Sequence, residues 1–278
     1  MSDELADLIA RRFIARPDAK AIQHRDGSWS PHTTTGKRDG DRIPWKREHL
    51  NAHLAGTQTF GHYLLNTDST CKLFAFDIDL EKEGFVPDPW SPAINDDGSV
   101  EDTFYKVDGP VTLRDMWLDR KHHARPFFKL QFKQIAHMLM KGIYEELEIP
   151  CAAAYSGGKG VHVYAFTGPI SAEESREGAL AVLASLNCFE ATRGVNFFKH
   201  TNQDPVDGFP NLSIEVFPKQ DSLDGKDLGN LMRIPLGKNL KSTDPTFFID
   251  MTSPLADMVP VDPAWALTTD NPWKRPGD

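Results

Sequence analysis

The sequence predicts an α+β fold, with one sheet that packs helices on one face and carries a working surface on the other. Three observations predict it. Residues 71–80, CKLFAFDIDL, alternate so that Phe74, Phe76, Ile78 and Leu80 share an apolar face while Asp77 and Asp79 share the opposite one. Three later runs, Val161 to Phe166, Leu212 to Phe217 and Leu231 to Leu236, also have one apolar face each, and their other faces carry His162, Glu215 and Arg233. Two stretches between these runs repeat apolar residues at helical spacing.

The 278 residues suffice for one large domain or two small ones. A content of 40% hydrophobic and 26% charged residues fits a soluble globular protein, and no apolar run approaches the roughly 20 residues that span a bilayer. The opening MSDELADLIARRF carries early acids and no long apolar core, so it does not read as a secretory signal. Cys71, Cys151 and Cys188 are far apart and odd in number, which argues for a reducing, cytoplasmic setting and against a cysteine zinc site. The formal net charge of −9 counts against a module that only grips nucleic acid, but not against an enzyme with a local basic groove.

Residues 3–16 read as a helix with acids early and arginines late, as the helix dipole prefers. Residues 17–47 are polar and turn-rich and predict a mobile loop, so 1–50 form an N-terminal part of the main unit. A short helix over 46–54 and a strand over 60–65 lead to the D-x-D strand. Residues 83–111, rich in Pro, Asp and Gly, predict an acidic insertion or lid. From 119 to 133 the charge reverses, and Lys121, Arg125, Lys129 and Lys133 predict a basic patch. Pro126 opens a helix whose stripe of Phe128, Phe132, Ile135, Leu139, Ile143 and Leu147 is core. Two strands then flank the turn SGGKG, and Ser171 with Glu174 forms a capping box for a second helix. Residues 190–210 read as loop or short pieces; 51–250 make up the main domain and 251–278 a tail.

Two aspartates on one strand face repel each other and are costly to bury unless a cation joins them. Hard oxygen ligands suit Mg²⁺ or Mn²⁺. With Glu215, three carboxylates can hold one or two such ions. His162, Arg233, Lys159 and the backbone N–H groups of Ser156, Gly157, Gly158, Lys159 and Gly160 suit phosphate, because a glycine-rich turn lets the backbone approach an anion closely. Metal beside a phosphate clamp describes phosphoryl or nucleotidyl transfer. The turn is not a P-loop, since Gly160 rather than Ser or Thr follows Lys159. Taken singly, the D-x-D also fits a solvated strand end, and SGGKG a plain hairpin turn.

Together these residues resemble the archaeo-eukaryotic primase superfamily, in particular primase-polymerases of phages, plasmids and mobile elements. FAFDID resembles its first motif, SGGKGVHVY its second, and IEVFPKQ followed by LGNLMRIPLGKN its third region; HLAGTQTFGHYLL resembles the same subgroup. The resemblance covers roughly residues 51–241. It implies an antiparallel catalytic sheet related to the RNA-recognition fold, plus an N-terminal α/β portion. It implies a DNA-dependent nucleotidyltransferase, a primase or DNA polymerase or both, that joins nucleoside triphosphates on a single-stranded DNA template in DNA replication. Two divalent ions, Mg²⁺ or Mn²⁺, a primer strand and a helicase domain or subunit are the implied cofactors and partners, with no membrane. Asp77 and Asp79 would bind metal, and His162 would meet the triphosphate. Ser156, Lys159, Arg233 and Lys238 would make further phosphate contacts. Glu215 stands where many members have the third acid, with Asp221 and Asp224 as fallbacks. Members often carry serine two places before the histidine, where this chain has Gly160.

Other readings compete. A D-x-D glycosyltransferase would need a nucleotide-binding parallel sheet before Asp77, where the sequence shows one helix and little strand. A non-catalytic single-strand binder is opposed by bare carboxylates on its binding face. A metal-dependent nuclease shares the same donors.

Overall fold

The computed structural model describes residues 2–190, 197–200, 209–255 and 257–274. The chain opens with α1 (Ser2–Phe13), β1 (Lys20–Gln23), β2 (Trp29–Pro31), α2 (Arg47–Leu54), β3 (Phe60–Tyr63) and β4 (Thr70–Leu80). Next come β5 (Gly84–Ile94), β6 (Val100–Val107), α3 (Leu113–Leu118), α4 (Arg125–Leu147), β7 (Cys151–Tyr155), β8 (Gly160–Ser171) and α5 (Ala172–Ser185). It closes with β9 (Cys188–Glu190), β10 (Phe197–His200), β11 (Leu212–Phe217), β12 (Leu231–Arg233), β13 (Phe247–Phe248) and α6 (Pro263–Thr268). Of the segment read as loop, residues 191–196 and 201–208 lie outside the described residues.

The α+β class holds. The larger sheet has the order β13-β7-β8-β4-β11-β10-β9 and is antiparallel throughout, with the D-x-D strand β4 at its centre. Its apolar face is the predicted one. Phe74, Phe76 and Ile78 meet Phe128, Phe132, Ile135, Leu139 and Ile143 of α4, and Val182 and Leu183 of α5. Each such side chain, fully withdrawn from water, contributes about 1.5–3 kcal/mol. The caps are also as expected: Ser171 accepts from the N–H of Glu174, and the Glu174 carboxylate accepts from the N–H of Ser171. Among the described residues no helix is long and apolar enough to cross a membrane. All three cysteines are free and buried.

Several segments differ from the expectation or add to it. Residues 17–47 are not a mobile loop: β1 and β2 join β3 and β12 in a second antiparallel sheet of order β12-β3-β1-β2. Arg233 therefore belongs to this second sheet and not to the sheet of Asp77. The working face of the larger sheet is open only near the aspartates. Its lower half, with Ala75, Tyr164, Phe166 and Phe217, is covered by Phe13 of α1 and by Met232 and Ile234. Residues 83–111 include a two-stranded hairpin, β5–β6, that leaves the end of β4; its base is anchored by buried Asn211, whose amide pairs with both the N–H and the C=O of Phe85. Two cations of the basic run from 119 to 133 are turned to internal use. The Lys133 ammonium is buried on the carbonyls of Ser253, Pro254 and Asp257, and the Arg125 guanidinium lies 4.3 Å from the Trp117 ring centre. The supposed tail after 250 carries α6, capped by Asp262, and packs Trp273 against Tyr144.

Candidate active site

Strand register assembles the site. Asp77 stands opposite His162 on β8 and opposite Glu215 on β11, so the three form a row across adjacent strands. One step along, Asp79 stands opposite Gly160 and Ser213. His162 Nε2 lies 3.3 Å from Asp77 Oδ1, and its Nδ1 lies 2.8 Å from the hydroxyl of Tyr164. Asp77 only accepts, so the ring donates from Nε2 to Asp77; in the tautomer with its one hydrogen there, Nδ1 accepts from the Tyr164 hydroxyl. Tyr164 is fully buried, and burial raises its phenol, which keeps the hydroxyl a donor.

The two aspartates titrate apart. Burial by itself would raise Asp77, but hydrogen-bonded His162, with Lys159 and Arg233, holds its carboxyl below the ordinary value. Burial and the Asp77 charge push Asp79 up, although Lys159 Nζ sits 2.6 Å from its Oδ2. A carboxylate pair under this strain is short of positive charge.

The turn between β7 and β8 is held by its carbonyls. That of Ser156 accepts from Arg233, and that of Gly157 from Asn239 Nδ2 at 3.0 Å and from the Ser242 hydroxyl. The Gly158 carbonyl accepts from Trp117 Nε1 at 2.6 Å and from the Tyr155 hydroxyl at 3.2 Å. Lys159 O accepts from Leu80 N–H, and Gly160 O from the Ser156 hydroxyl. Among the described residues no acceptor takes the N–H groups of Gly157, Gly158 or Lys159. Carbonyls tied back and amides left over make an anion-binding nest. Gly157 has φ +70°, which favours glycine. Arg233 adds a half-buried guanidinium whose Nε is buried without a partner among the described residues. Together these groups line a cavity of about 370 Å³ holding Asp77, Asp79, Ser156, Gly158, Lys159, His162 and Arg233.

A family model for the archaeo-eukaryotic primase domain of TOTE conflict systems matches residues 13–261. The chain belongs to that family. No curated protein matches the chain. The family is one of primase-like nucleotidyltransferases, and the D-x-D strand, the nest and the histidine of this primase domain fall within the matched residues.

Not every residue picked from the sequence reaches the cavity of the primase domain. Glu215 sits beside Asp77 in register, but its carboxylate pairs with Lys219 one turn along the chain, and it does not line the cavity. Asp221 is bound by Arg176 Nε at 2.7 Å, and Asp224 is exposed and accepts from Ser222. Neither fallback is near the aspartate pair in the lining. Gly157 stands behind the wall, holding the turn, and beside Lys159 the second lysine in the lining is Lys241 rather than Lys238. Arg114, Leu118, Asn239 and Ser242 also line the cavity and were not singled out from the sequence. Asn239 and Ser242 follow Lys238 closely enough for that run to hint at them; Arg114, on a one-turn helix outside any strand pattern, gave no signal.

Among the described residues no three His, Cys, Asp or Glu side chains converge as a metal cluster. The donor chemistry at the aspartates nevertheless fits a divalent cation: two hard carboxylates share one strand face, and their buried charge raises Asp79. Lys159 is now the counter-ion of Asp79, and Lys219 that of Glu215.

Serine at position 160 is excluded by geometry. A Cβ on Gly160 would lie 2.1 Å from Ile78 O and 2.5 Å from Asp79 Oδ1. The hydroxyl expected two places before the histidine is absent because the β8 backbone presses on the D-x-D strand itself.

Proposed function

We propose that this primase domain joins nucleoside triphosphates on a single-stranded DNA template, starting chains, extending a primer, or both. The observation that carries the reading is the pair of free amides at Gly158 and Lys159 beside the aspartate pair, in one cavity with Arg233 and His162. The amides and the Arg233 guanidinium would hold the triphosphate through charge-assisted hydrogen bonds. His162, fixed between Tyr164 and Asp77, would present one orientation of its ring to the same phosphates. Mg²⁺ or Mn²⁺, held by Asp77 and Asp79 with Glu215 as the nearest third acid, would supply charge neutralisation at the phosphates and lower the pKa of the attacking hydroxyl. Lys159 would give up Asp79 and turn its ammonium to phosphate.

The test is extension on single-stranded DNA, with and without a primer, in Mg²⁺ or Mn²⁺. Product is expected from the wild type and lost in Asp77→Ala with Asp79→Ala that retains the fold. Labelled DNA shortened in the absence of nucleotides would mark a nuclease instead, and sugar-nucleotide turnover without extension a glycosyltransferase.

A further inference from the structure

The second sheet has two faces. Met232 and His62 point inward, His62 against Phe13 of α1. Register places Leu231, Tyr63, Gly61, Arg233, Ala21, Gln23, Pro31 and Trp29 on the other face. No element of the larger sheet covers that face. Instead it lines a cavity of about 550 Å³ with Arg38, Arg42 and Lys226 around Trp29, Tyr63 and Leu231. Arg42 pairs with Asp18 and Asp227, whereas Arg38 and Lys226 are exposed and have no acidic partner among the described residues. The Trp29 ring lies against Gly61, where a Cβ would come within 3.0 Å of its Cζ3.

This face runs into the catalytic cavity. The Arg233 guanidinium lies 5.8 Å from the centre of the Trp29 ring. Gln23 donates from Nε2 to Asn239 Oδ1 at 3.3 Å and accepts from Leu240 N–H at 2.9 Å. Arg233, at the end of the sheet face by register, and Asn239, bonded to Gln23 of that face, both line the nucleotide cavity. In a chain of net charge −9, aromatic rings with unpaired cations beside a phosphate site fit a strand of bases and phosphates. The run 121–133 fits it less well, because Lys133 and Arg125 are engaged internally.

We infer that this sheet face is a groove for single-stranded nucleic acid, with a base stacking on the partly exposed Trp29, which Tyr63 supports from the core, and phosphates on Arg38 and Lys226. The inference rests on the proposed function only for the strand's destination, the cavity of Asp77. Binding of labelled single-stranded oligonucleotides is measured by anisotropy in EDTA, so the metal-dependent site takes no part. DNA and RNA of one sequence form the two arms, and tighter binding of one identifies the strand.

Arg38→Ala with Lys226→Ala is expected to weaken binding and reduce the slope of log affinity against log salt by roughly 1.4, about 0.7 for each phosphate that is no longer neutralised. Trp29→Ala should weaken binding between about fivefold and a hundredfold, and Trp29→Phe should keep most of it. Photo-crosslinks from halogenated uracil should map to Trp29. An unchanged slope in the double variant, or crosslinks confined to 121–133, overturns the groove. Metal-dependent nucleotide binding is measured on the same double variant. If it persists while strand affinity ignores residues 38 and 226, the groove alone is wrong. If no nucleotide binds even to the wild type while strand affinity follows those residues, the groove stands and the catalytic reading falls.

Discussion

Gly160→Ala probes the packing that brings β8 onto the aspartates. An alanine Cβ would stand 2.1 Å from the Ile78 carbonyl oxygen, which is backbone in the central strand and cannot swing aside. It would also stand 2.5 Å from the Asp79 carboxylate. Relief requires β4 and β8 to separate at the Asp79–Gly160 pair, one step from Asp77 and His162. Overpacking of this kind costs about 1–3 kcal/mol. The catalytic effect should be larger, since a misplacement of about 1 Å in a reacting group can cost roughly a hundredfold in rate. Urea denaturation with primer extension measures both. Gly178→Ala is the control: within α5 its Cβ would make ordinary contacts at 3.5 and 3.7 Å, so it should stabilise by about 0.5–1 kcal/mol. A Gly160→Ala protein with wild-type stability and rate would refute the close approach of the two strands.

Three further outcomes follow from particular contacts. Tyr164→Phe removes the donor to His162 Nδ1 and should cost about 1–3 kcal/mol by leaving a buried acceptor unmet; unfolding measures the cost, and a kcat that falls more than KM rises would mark loss of His162 orientation. Buried His53 must be neutral, since its Nδ1 accepts from Phe60 N–H while Nε2 donates to the carbonyls of Ile234 and Pro235, just after Arg233; burial lowers its pKa to about 4. The unfolded chain therefore binds the extra proton between about pH 6.5 and 4, and this histidine removes roughly 1.4 kcal/mol of stability per pH unit as pH falls through that window. Urea midpoints for wild type and His53→Gln across pH 4.5 to 7 should show the wild-type slope reduced in the variant. Lys133→Met should destabilise the fold by about 1–3 kcal/mol for the first carbonyl left unmet, yet leave the salt slope of strand binding unchanged; a reduced slope would return Lys133 to the surface.

How much of this was legible in the sequence depends on what each residue had to signal. β4, β8 and β11 each keep one apolar face, so period two gave their faces and put Asp77, His162 and Glu215 on one side, but it does not show that the apolar Ala75, Tyr164, Phe166 and Phe217 on that side are covered. The α4 stripe was equally plain because a long helix repeats its signal. β1 and β2 were hidden because four and three residues are too few to show a period, and their buried positions include small Ala21 and charged Lys20, whose ammonium is spent on the carbonyls of Ile43 and Pro44. Arg233 was placed at the right cavity through the wrong sheet: alternation gives a face, not a neighbour. Lys133 misled because a lysine that satisfies buried carbonyls is spelled like one that binds phosphate. The pairing of Glu215 with Lys219 depends on a turn after Phe217 that no pattern announced.

The most direct test is the anomalous signal of Mn²⁺ in crystals grown with a non-hydrolysable nucleoside triphosphate. The account predicts manganese coordinated by Asp77 and Asp79, and a triphosphate accepting hydrogen bonds from the amides of Gly158 and Lys159. Manganese bound away from both aspartates, or a nucleotide seated outside that turn, would contradict it.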